Sequence, residues 1–395
     1  MATTPDTEAS FCGGRTVRTG SSPEYAALLA CVRIDVLDDE LFAHFARVRD
    51  WPGLKDLAIR QAVLPMLYSC VARTSRDLAP PATLEELRLI NQANAERCIR
   101  HTVTLLSILG SLRSHGISAV PFKGPLLSEY AYGDVTMRYF QDLDLFVARS
   151  DFVNASRLLE SLGFRSERRL FERDRTGADD YHDIFQGHGS TVELHWRTGP
   201  AFVPPVFQAD ELLRRARPAA LLGQPVSTLD PADLLLALCV HGHAHRWPQL
   251  EPVAALARVL DKGEYGDPRR FLQRARSRGC LRRCLVAFLL AKDLAGVDLP
   301  PEFETAIASD RLARRLATKA SFQIQSSDRS GDTRLITTVW RALALDKPKD
   351  AVRFAVLQVL APRDDGTIGG ELSRSLLSSA HVRRIRYLQR SVRKH

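Results

Sequence analysis

Two aspartates separated by one residue, Asp142 and Asp144, stand in an apolar segment with the alternation of a β-strand. That alternation places both carboxylates on one face and Leu143 and Leu145 on the other. Adjacent carboxylates repel each other and lose solvation, which is costly unless a cation lies between them. Glu193 stands in a second segment of the same kind. Three carboxylates on two strands therefore predict a divalent-metal site.

A turn earlier in the chain predicts a phosphate site. A strand-like segment ends at Phe122, and Lys123, Gly124 and Pro125 lead from it into a predicted helix. A helix that begins at a glycine turn presents free backbone N–H groups and the positive end of its dipole to an anion. Lys123 and Arg138 would add positive charge there.

Each of these features alone has a plainer interpretation. An isolated Asp-x-Asp pair usually marks a solvated strand face, a Lys-Gly pair is usually only a turn, and an isolated glutamate such as Glu193 is usually a surface residue. Their occurrence together and in this order favours a site that binds both a cation and phosphate groups.

Three histidines are further candidates. His241 and His245 are four residues apart on a predicted helix, a spacing that suits a metal ion. No third ligand follows at a matching spacing, so we expect this pair to line the cleft and contact acceptor or phosphate, or to be structural. His195 shares a strand face with Glu193, and we expect it to contact nucleotide phosphate or the metal ligands.

Four runs of residues resemble one known family. They are Phe122-Lys123-Gly124, Glu129-Tyr130-x-Tyr132, Arg138-x-x-x-Asp142-Leu143-Asp144-Leu145-Phe146-Val147 and Val192-Glu193-Leu194-His195-Trp196. Over roughly residues 85–260 the chain resembles the uncharacterised nucleotidyltransferase-like family of the polymerase-beta-type nucleotidyltransferase superfamily. Some members are encoded beside enzymes of bacterial peptide or other natural-product biosynthesis.

The resemblance implies an α+β fold, in which a small mixed β-sheet forms the nucleotidyltransferase core and is flanked by N-terminal and C-terminal helical regions. It also implies two Mg²⁺ ions. Asp142 and Asp144 match the metal-binding pair of the family, and Glu193 matches the third catalytic carboxylate, at a position where aspartate is commoner.

The same resemblance assigns the phosphate side of the site. Lys123 and Gly124 match the family's Lys-Gly turn, which stands where the wider superfamily has Gly-Ser or Gly-Gly. Gln141 replaces the small residue that often precedes the first aspartate, a change that still permits metal binding. A histidine helix similar to the one that carries His241 and His245 follows the catalytic domain of the family.

Composition and turn residues divide the chain into five predicted segments. We expect a disordered N-terminus at 1–22, a helical region at 23–115, the nucleotidyltransferase-like α/β core at 116–228, a C-terminal helical domain at 229–372 and a basic tail with a helical pattern at 373–395.

Within the core, alternation and turn residues predict three strands and two helices. These are strands Ile117–Phe122, Gln141–Val147 and Thr191–Trp196, a helix from the Lys-Gly turn through Tyr132, and a helix Asp151–Leu162. Asp230 followed by Pro231 predicts the start of the next helix.

The net charge of +9 belongs mainly to the tail. Residues 373–395 contain seven basic and no acidic side chains, so the other 372 residues hold 48 basic and 46 acidic groups. The tail has an apolar stripe at helical spacing, formed by Val382, Ile385, Leu388 and Val392. This pattern is typical of a helix that packs on a helical bundle and exposes its charged face to solvent. The alternatives are contact with an anionic partner, namely an acidic leader peptide, RNA or an anionic membrane surface. No aromatic ladder or nucleic-acid module supports RNA.

The composition, 45% apolar and 26% charged, excludes disordered, collagen-like and coiled-coil proteins. Seven widely spaced cysteines, an odd number, indicate a reduced, cytoplasmic protein. The longest apolar runs are far shorter than the roughly 18 residues of a membrane span, so we expect none.

The expected function is Mg²⁺-dependent transfer of a nucleoside monophosphate from an NTP to a hydroxyl or similar group of a small molecule or peptide, with a possible place in natural-product biosynthesis. The sequence leaves two alternatives open. The protein could be a phosphotransferase acting on a peptide or small molecule, or a catalytically weak nucleotide-binding partner protein.

Overall fold

We describe the protein from a computed structural model that defines residues 22–167, 182–198, 207–326 and 334–360. The expectations for residues 1–21 and for the basic tail fall outside these ranges. The described chain forms an α+β fold in which a five-stranded mixed sheet lies among helices, as expected.

The sheet carries the predicted carboxylates. Its strands are β1 (Ala119–Pro121), β2 (Asp142–Val147), β3 (Arg165–Ser166), β4 (His182–Gly187) and β5 (Ser190–His195), in the spatial order β1-β2-β5-β4-β3. The central strands β2 and β5 pair in parallel, and the other pairs are antiparallel. The three predicted strands are confirmed to within two residues at each end. Strand β4 was not predicted.

Helices occupy the chain before the sheet and between its strands. They are α1 (Pro23–Val32), α2 (Asp38–Phe45), α3 (Trp51–Arg60), α4 (Leu64–Thr74), α5 (Pro81–Ser114), α6 (Gly124–Tyr132) and α7 (Phe152–Ser161). Helices α6 and α7 are the two predicted within the core.

After the sheet, a short helix α8 (Ala209–Arg215) precedes an antiparallel hairpin of β6 (Arg217–Leu221) and β7 (Gln224–Thr228). Sequence analysis missed this hairpin. Leu222 and Gly223 form its turn, and both have positive φ angles of 48° and 75°, which is the conformation that suits a two-residue hairpin turn.

The remaining described elements are all helical. They are α9 (Pro231–Ala244), α10 (Leu250–Asp261), α11 (Pro268–Ser277), α12 (Leu281–Ala295), α13 (Pro301–Ser309), α14 (Arg311–Ser326), α15 (Arg334–Leu343) and α16 (Pro348–Leu360). Asp230 caps α9 as predicted, because its side chain accepts a hydrogen bond from the Ala232 amide.

Two apolar cores flank the sheet. On one face, Leu143, Leu145, Val192 and Leu194 are at most 1% exposed and pack in one cluster with side chains of α5 and α7. On the other side, a larger cluster joins helices α1–α4 to helices α9–α14 and includes Phe122 of the turn after β1. The helical regions before and after the sheet therefore share one core.

Gln61 illustrates the contact between these helical regions. Its side-chain amide donates a hydrogen bond to the Ile324 carbonyl, and its side-chain oxygen accepts one from the Leu250 amide at the start of α10. Gln61 is 1% exposed, so both bonds lie away from water and fix α10 against the N-terminal helices.

Among the described helices, none combines the length and the apolar character needed to cross a bilayer. The six cysteines in the described residues are buried and free. They include Cys280 and Cys284, which are four residues apart.

The end of α9 is closed by an unusual turn. Arg246 and Trp247 have positive φ angles of 63° and 50°, and the Trp247 amide donates to the Gly242 carbonyl. This turn folds the buried Trp247 ring against the backbone of Gly242. A Cβ atom at Gly242 would lie 2.4 Å from that ring, so only glycine fits.

We predict that Gly242→Ala destabilises the fold by roughly 1–3 kcal/mol, because the added methyl group forces the Trp247 ring out of its packing. Urea unfolding followed by circular dichroism measures the effect. Gly110→Ala is the matched control, since a Cβ there meets no atom within 4 Å and Gly110 lies inside α5. It should stabilise the protein by up to about 1 kcal/mol. Equal stability of the two variants would contradict this account.

Candidate functional site

The parallel pairing of β2 with β5 brings together the two strands that carry predicted ligands. Asp144 pairs with Glu193, and Phe146 pairs with His195. Paired residues project to the same face of a sheet, so Asp144, Glu193 and His195 meet on the face opposite the leucine-rich core. One oxygen or nitrogen atom from each of them lies within 4.8 Å of the others.

His195 lies between the two carboxylates. Its Nε2 atom is 3.1 Å from Oδ1 of Asp144 and 3.2 Å from Oε2 of Glu193. His195 and Asp144 are only 7% and 2% exposed, whereas Glu193 is half-buried. The imidazole N–H group therefore holds two acidic side chains at close range.

Lys123 supplies the second cation of the site. Its Nζ atom lies 2.9 Å from Oδ2 of Asp144 and 3.4 Å from Nε2 of His241, and 4.8 Å from the centre of the Phe122 ring. The Lys123 side chain is largely buried. Asp144 thus has one oxygen beside an ammonium group and the other beside an imidazole.

These contacts shift the pKa values of the cluster. Burial would raise the pKa of Asp144, but the Lys123 charge and the His195 hydrogen bond outweigh it and lower that pKa well below its usual range. The hydrogen bond from His195 lowers the pKa of Glu193. Burial opposes the charged form of His195, yet its bonds to both carboxylates raise its pKa.

Asp142 lies on the same face of β2 but outside the close cluster. Burial and the charge of Asp144 raise its pKa, and the charge of Lys123 only partly offsets them. A carboxylate with a raised pKa gains from a nearby cation. The structure therefore brings together Asp144, Glu193 and His195. Asp142 lies two residues before Asp144, at the start of β2.

The predicted phosphate turn is present. Gly124 has a φ of 56° and begins α6, with Lys123 as the residue before the helix. No side chain caps this helix start, and the first N–H groups of any helix lack partners within it. The turn therefore leaves the start of α6 uncapped directly after Lys123.

Arg138 lies beneath this turn and has a different partner from the one we expected. Its Nε and Nη2 atoms contact the two carboxylate oxygens of Glu251 on α10, and its Nη1 lies 3.4 Å from the Gly124 carbonyl. Both side chains are buried. The charge predicted to be available for phosphate is thus compensated by Glu251, and the contact with Gly124 supports the turn.

His241 and His245 face the turn from α9. Their ring centres are 4.3 Å apart, and the His241 ring contacts the edge of Phe122. Burial, followed by the charge of Lys123, lowers the pKa of both histidines. Both are therefore neutral at pH 7 and available as hydrogen-bond partners.

A pocket of about 430 Å³ lies between the sheet and helices α9 and α10. Its walls hold most of the predicted site residues, namely Lys123, Gly124, Arg138, Asp142, His241 and His245. Tyr139, Gln141, Gln249 and Pro252 also line it. His241 and His245 thus lie together in the wall of this pocket.

The donor set fits a divalent cation. Asp144 and Glu193 contribute carboxylate oxygens and His195 a ring nitrogen, all within one small volume. Oδ2 of Asp144 is buried and has no hydrogen bond of good geometry, although Lys123 lies close to it. Carboxylate oxygens are the ligands that Mg²⁺ prefers.

Sequence analysis missed Glu251. A signal was present, because Glu251 is the one charged residue before Arg258 in α10 and stands among apolar side chains. A carboxylate in such a position is rarely buried without a partner. The sequence did not reveal that this partner is Arg138.

The chain matches one family model and is similar to solved structures. A family model described as an uncharacterised nucleotidyltransferase matches residues 47–296, more than half of the chain. No curated protein matches the chain. Two solved structures are similar to it at 15% sequence identity. One is the antibiotic-resistance factor ANT(2'')-Ia; the match covers 56% of this chain and 96% of that chain, with a TM-score of 0.28. The other is an antigenic nucleotidyltransferase-like protein from Paracoccidioides brasiliensis; the match covers 53% of this chain and 93% of that chain, with a TM-score of 0.30.

His195 generates a prediction about pH. Because its pKa is raised in the folded protein, its charged form stabilises the fold fully below the ordinary value of 6.5, and this contribution is lost as the pH rises through the folded pKa. The wild type should therefore exceed His195→Gln in unfolding free energy by on the order of 1 kcal/mol near pH 6, and by less at pH 9. Urea unfolding of both proteins across this range measures it. A difference independent of pH would contradict the assigned contacts.

Proposed function

The chain belongs to the uncharacterised nucleotidyltransferase family, and we propose that it moves a nucleoside monophosphate from an NTP to a hydroxyl or similar group of a small molecule or peptide. The observation that supports this most is the contact of Lys123, which lines the pocket at the Gly124 turn, with Asp144 of the cluster that also holds Glu193 and His195. A metal site next to a phosphate site is what the reaction requires.

Asp142, Asp144 and Glu193 are the proposed ligands of two Mg²⁺ ions, with His195 touching two of them. Bound Mg²⁺ would neutralise charge on the phosphates and lower the pKa of an acceptor hydroxyl. Asp144 is ready for this role as an anion, because its pKa is lowered. Glu193, the more exposed member of the close cluster, is the proposed recipient of the acceptor's proton.

The Lys123–Gly124 turn and the start of α6 are the proposed seat of the triphosphate. Lys123 would balance charge on the departing pyrophosphate. His241 and His245, neutral because burial lowers their pKa values, would donate or accept hydrogen bonds on the opposite wall. Arg138 acts here as a positioning residue, since it supports Gly124 from below.

Asp144→Asn should lower turnover by roughly 10²-fold or more, because the neutral amide loses the charge that attracts the cation. Pyrophosphate release measures turnover, and circular dichroism checks the fold. Asp261→Asn, at an exposed position near the end of α10, is the matched control and should leave the rate unchanged. An Asp144→Asn protein as active as the wild type would remove Asp144 from the mechanism.

The reaction type has its own test. Incubation with NTPs labelled at the α-phosphate, in the presence of a metabolite extract, should place label on an acceptor that mass spectrometry can identify. Label transferred only from the γ-phosphate would identify a phosphotransferase. Calorimetry that detects no Mg²⁺-dependent binding of any NTP would favour a regulatory or partner protein. This experiment would identify the acceptor and the preferred base of the NTP. The identity of the acceptor would then show whether the reaction belongs to natural-product biosynthesis.

The basic tail is not used in this proposal. Removal of residues 374–395 should leave the dissociation constant of the Mg²⁺–NTP complex unchanged within about twofold, because Lys123 and the helix start supply the local positive charge. Calorimetry on the full and shortened chains measures it. A loss of NTP binding in a shortened chain that keeps its fold would assign the tail to the site.

A further inference from the structure

Each carboxylate oxygen of Asp144 already has a cationic neighbour in this structure. Oδ2 lies 2.9 Å from the Lys123 ammonium group, and Oδ1 lies 3.1 Å from Nε2 of His195. The Asp144 side chain is 1% exposed and that of Lys123 is 11% exposed. A divalent cation that binds Asp144 therefore competes with one of these two groups.

The surroundings of Lys123 identify it as the group that moves. Among the residues that the structure describes, its ammonium group lies close to the Asp144 carboxylate, the ring of His241 and the face of the Phe122 ring. Lys123 also lines the pocket, so its flexible side chain can turn toward a ligand there. His195, by contrast, is fixed by its strand and by two carboxylates.

Electrostatics opposes a simple exchange of lysine for metal. Two cations within a few ångströms repel strongly where the effective dielectric constant is low. Withdrawal of Lys123 without a replacement would also leave Oδ2 of Asp144 buried without its cation and His195 as the remaining partner of two carboxylates, which is unfavourable. The exchange becomes favourable when the metal arrives together with a polyanion that gives Lys123 a new partner.

We propose that Lys123 is an internal counter-ion, which occupies Asp144 in the empty enzyme and makes divalent-metal binding depend on nucleotide. On arrival of the metal with a triphosphate, the ammonium group leaves Oδ2 of Asp144 and pairs with a phosphate oxygen. This inference rests on the proposed function, because it assigns Asp144 as a metal ligand.

The test compares Mn²⁺ binding to the nucleotide-free protein, followed by the electron paramagnetic resonance signal of free Mn²⁺. Lys123→Met and Lys123→Gln remove the competing charge and should bind Mn²⁺ about tenfold or more tightly than the wild type. Lys123→Arg keeps the charge and should bind as weakly as the wild type. Lys262→Met, a lysine substitution at an exposed position after α10, controls for the loss of a positive charge elsewhere.

A second measurement covers the case in which a variant folds poorly. In Lys123→Gln, Mn²⁺ alone should raise the melting temperature, because it replaces the missing counter-ion of Asp144. The wild type should show a much smaller rise under the same conditions.

The outcomes separate this inference from the proposed function. Equal Mn²⁺ affinity of the wild type and Lys123→Gln, with binding lost in Asp144→Asn, would overturn the counter-ion role while leaving the metal site in place. Absence of Mn²⁺ binding from all variants, with and without an NTP, would overturn the metal site itself and the inference with it.

Discussion

The parallel pairing of β2 with β5 is the constraint on which the site depends. This register places Asp144 directly beside Glu193 and brings His195 to the same face. A slip of one residue would turn one set of these side chains into the leucine-rich core. The buried residues Leu143 and Leu194 prevent this, because the opposite face of each strand has to stay apolar. Apolar packing on one face of the sheet thus determines which side chains meet on the opposite face.

The helices fix the other wall of the pocket. Gln61 binds the start of α10, α10 carries Glu251, and Glu251 holds Arg138 beneath the Gly124 turn. This series of contacts connects a residue just after α3 to the proposed phosphate seat. The N-terminal and C-terminal helices share one core, so the position of the turn relative to the sheet depends on both. The extensive helical part of the chain therefore does more than surround the sheet.

Local sequence patterns predicted much of the site and less of its surroundings. The alternation around Asp142 and the glycine turn at Gly124 each follow from neighbouring residues, and both were found where expected. Strand β4 was missed because its sequence is largely polar, and its pairing with β5 supplies the stability that its composition lacks. The pairing of Arg138 with Glu251 joins residues 113 positions apart, and no local pattern encodes such a contact.

Charge compensation explains how an acidic site can fold without a bound cation. Asp144 and Glu193 would repel each other at close range, but the structure places Lys123 against the first and His195 against both. These two cations belong to the body of the chain, in which basic and acidic groups nearly balance. The tail, with seven of the basic residues, contributes to the net charge of +9 without being needed for this balance. This compensation affects cation binding. A protein group that stabilises these carboxylates in the absence of a cation also competes with the proposed cation for them. The contacts of Lys123 and His195 that stabilise the carboxylates in the absence of a cation therefore also determine how tightly the site binds one.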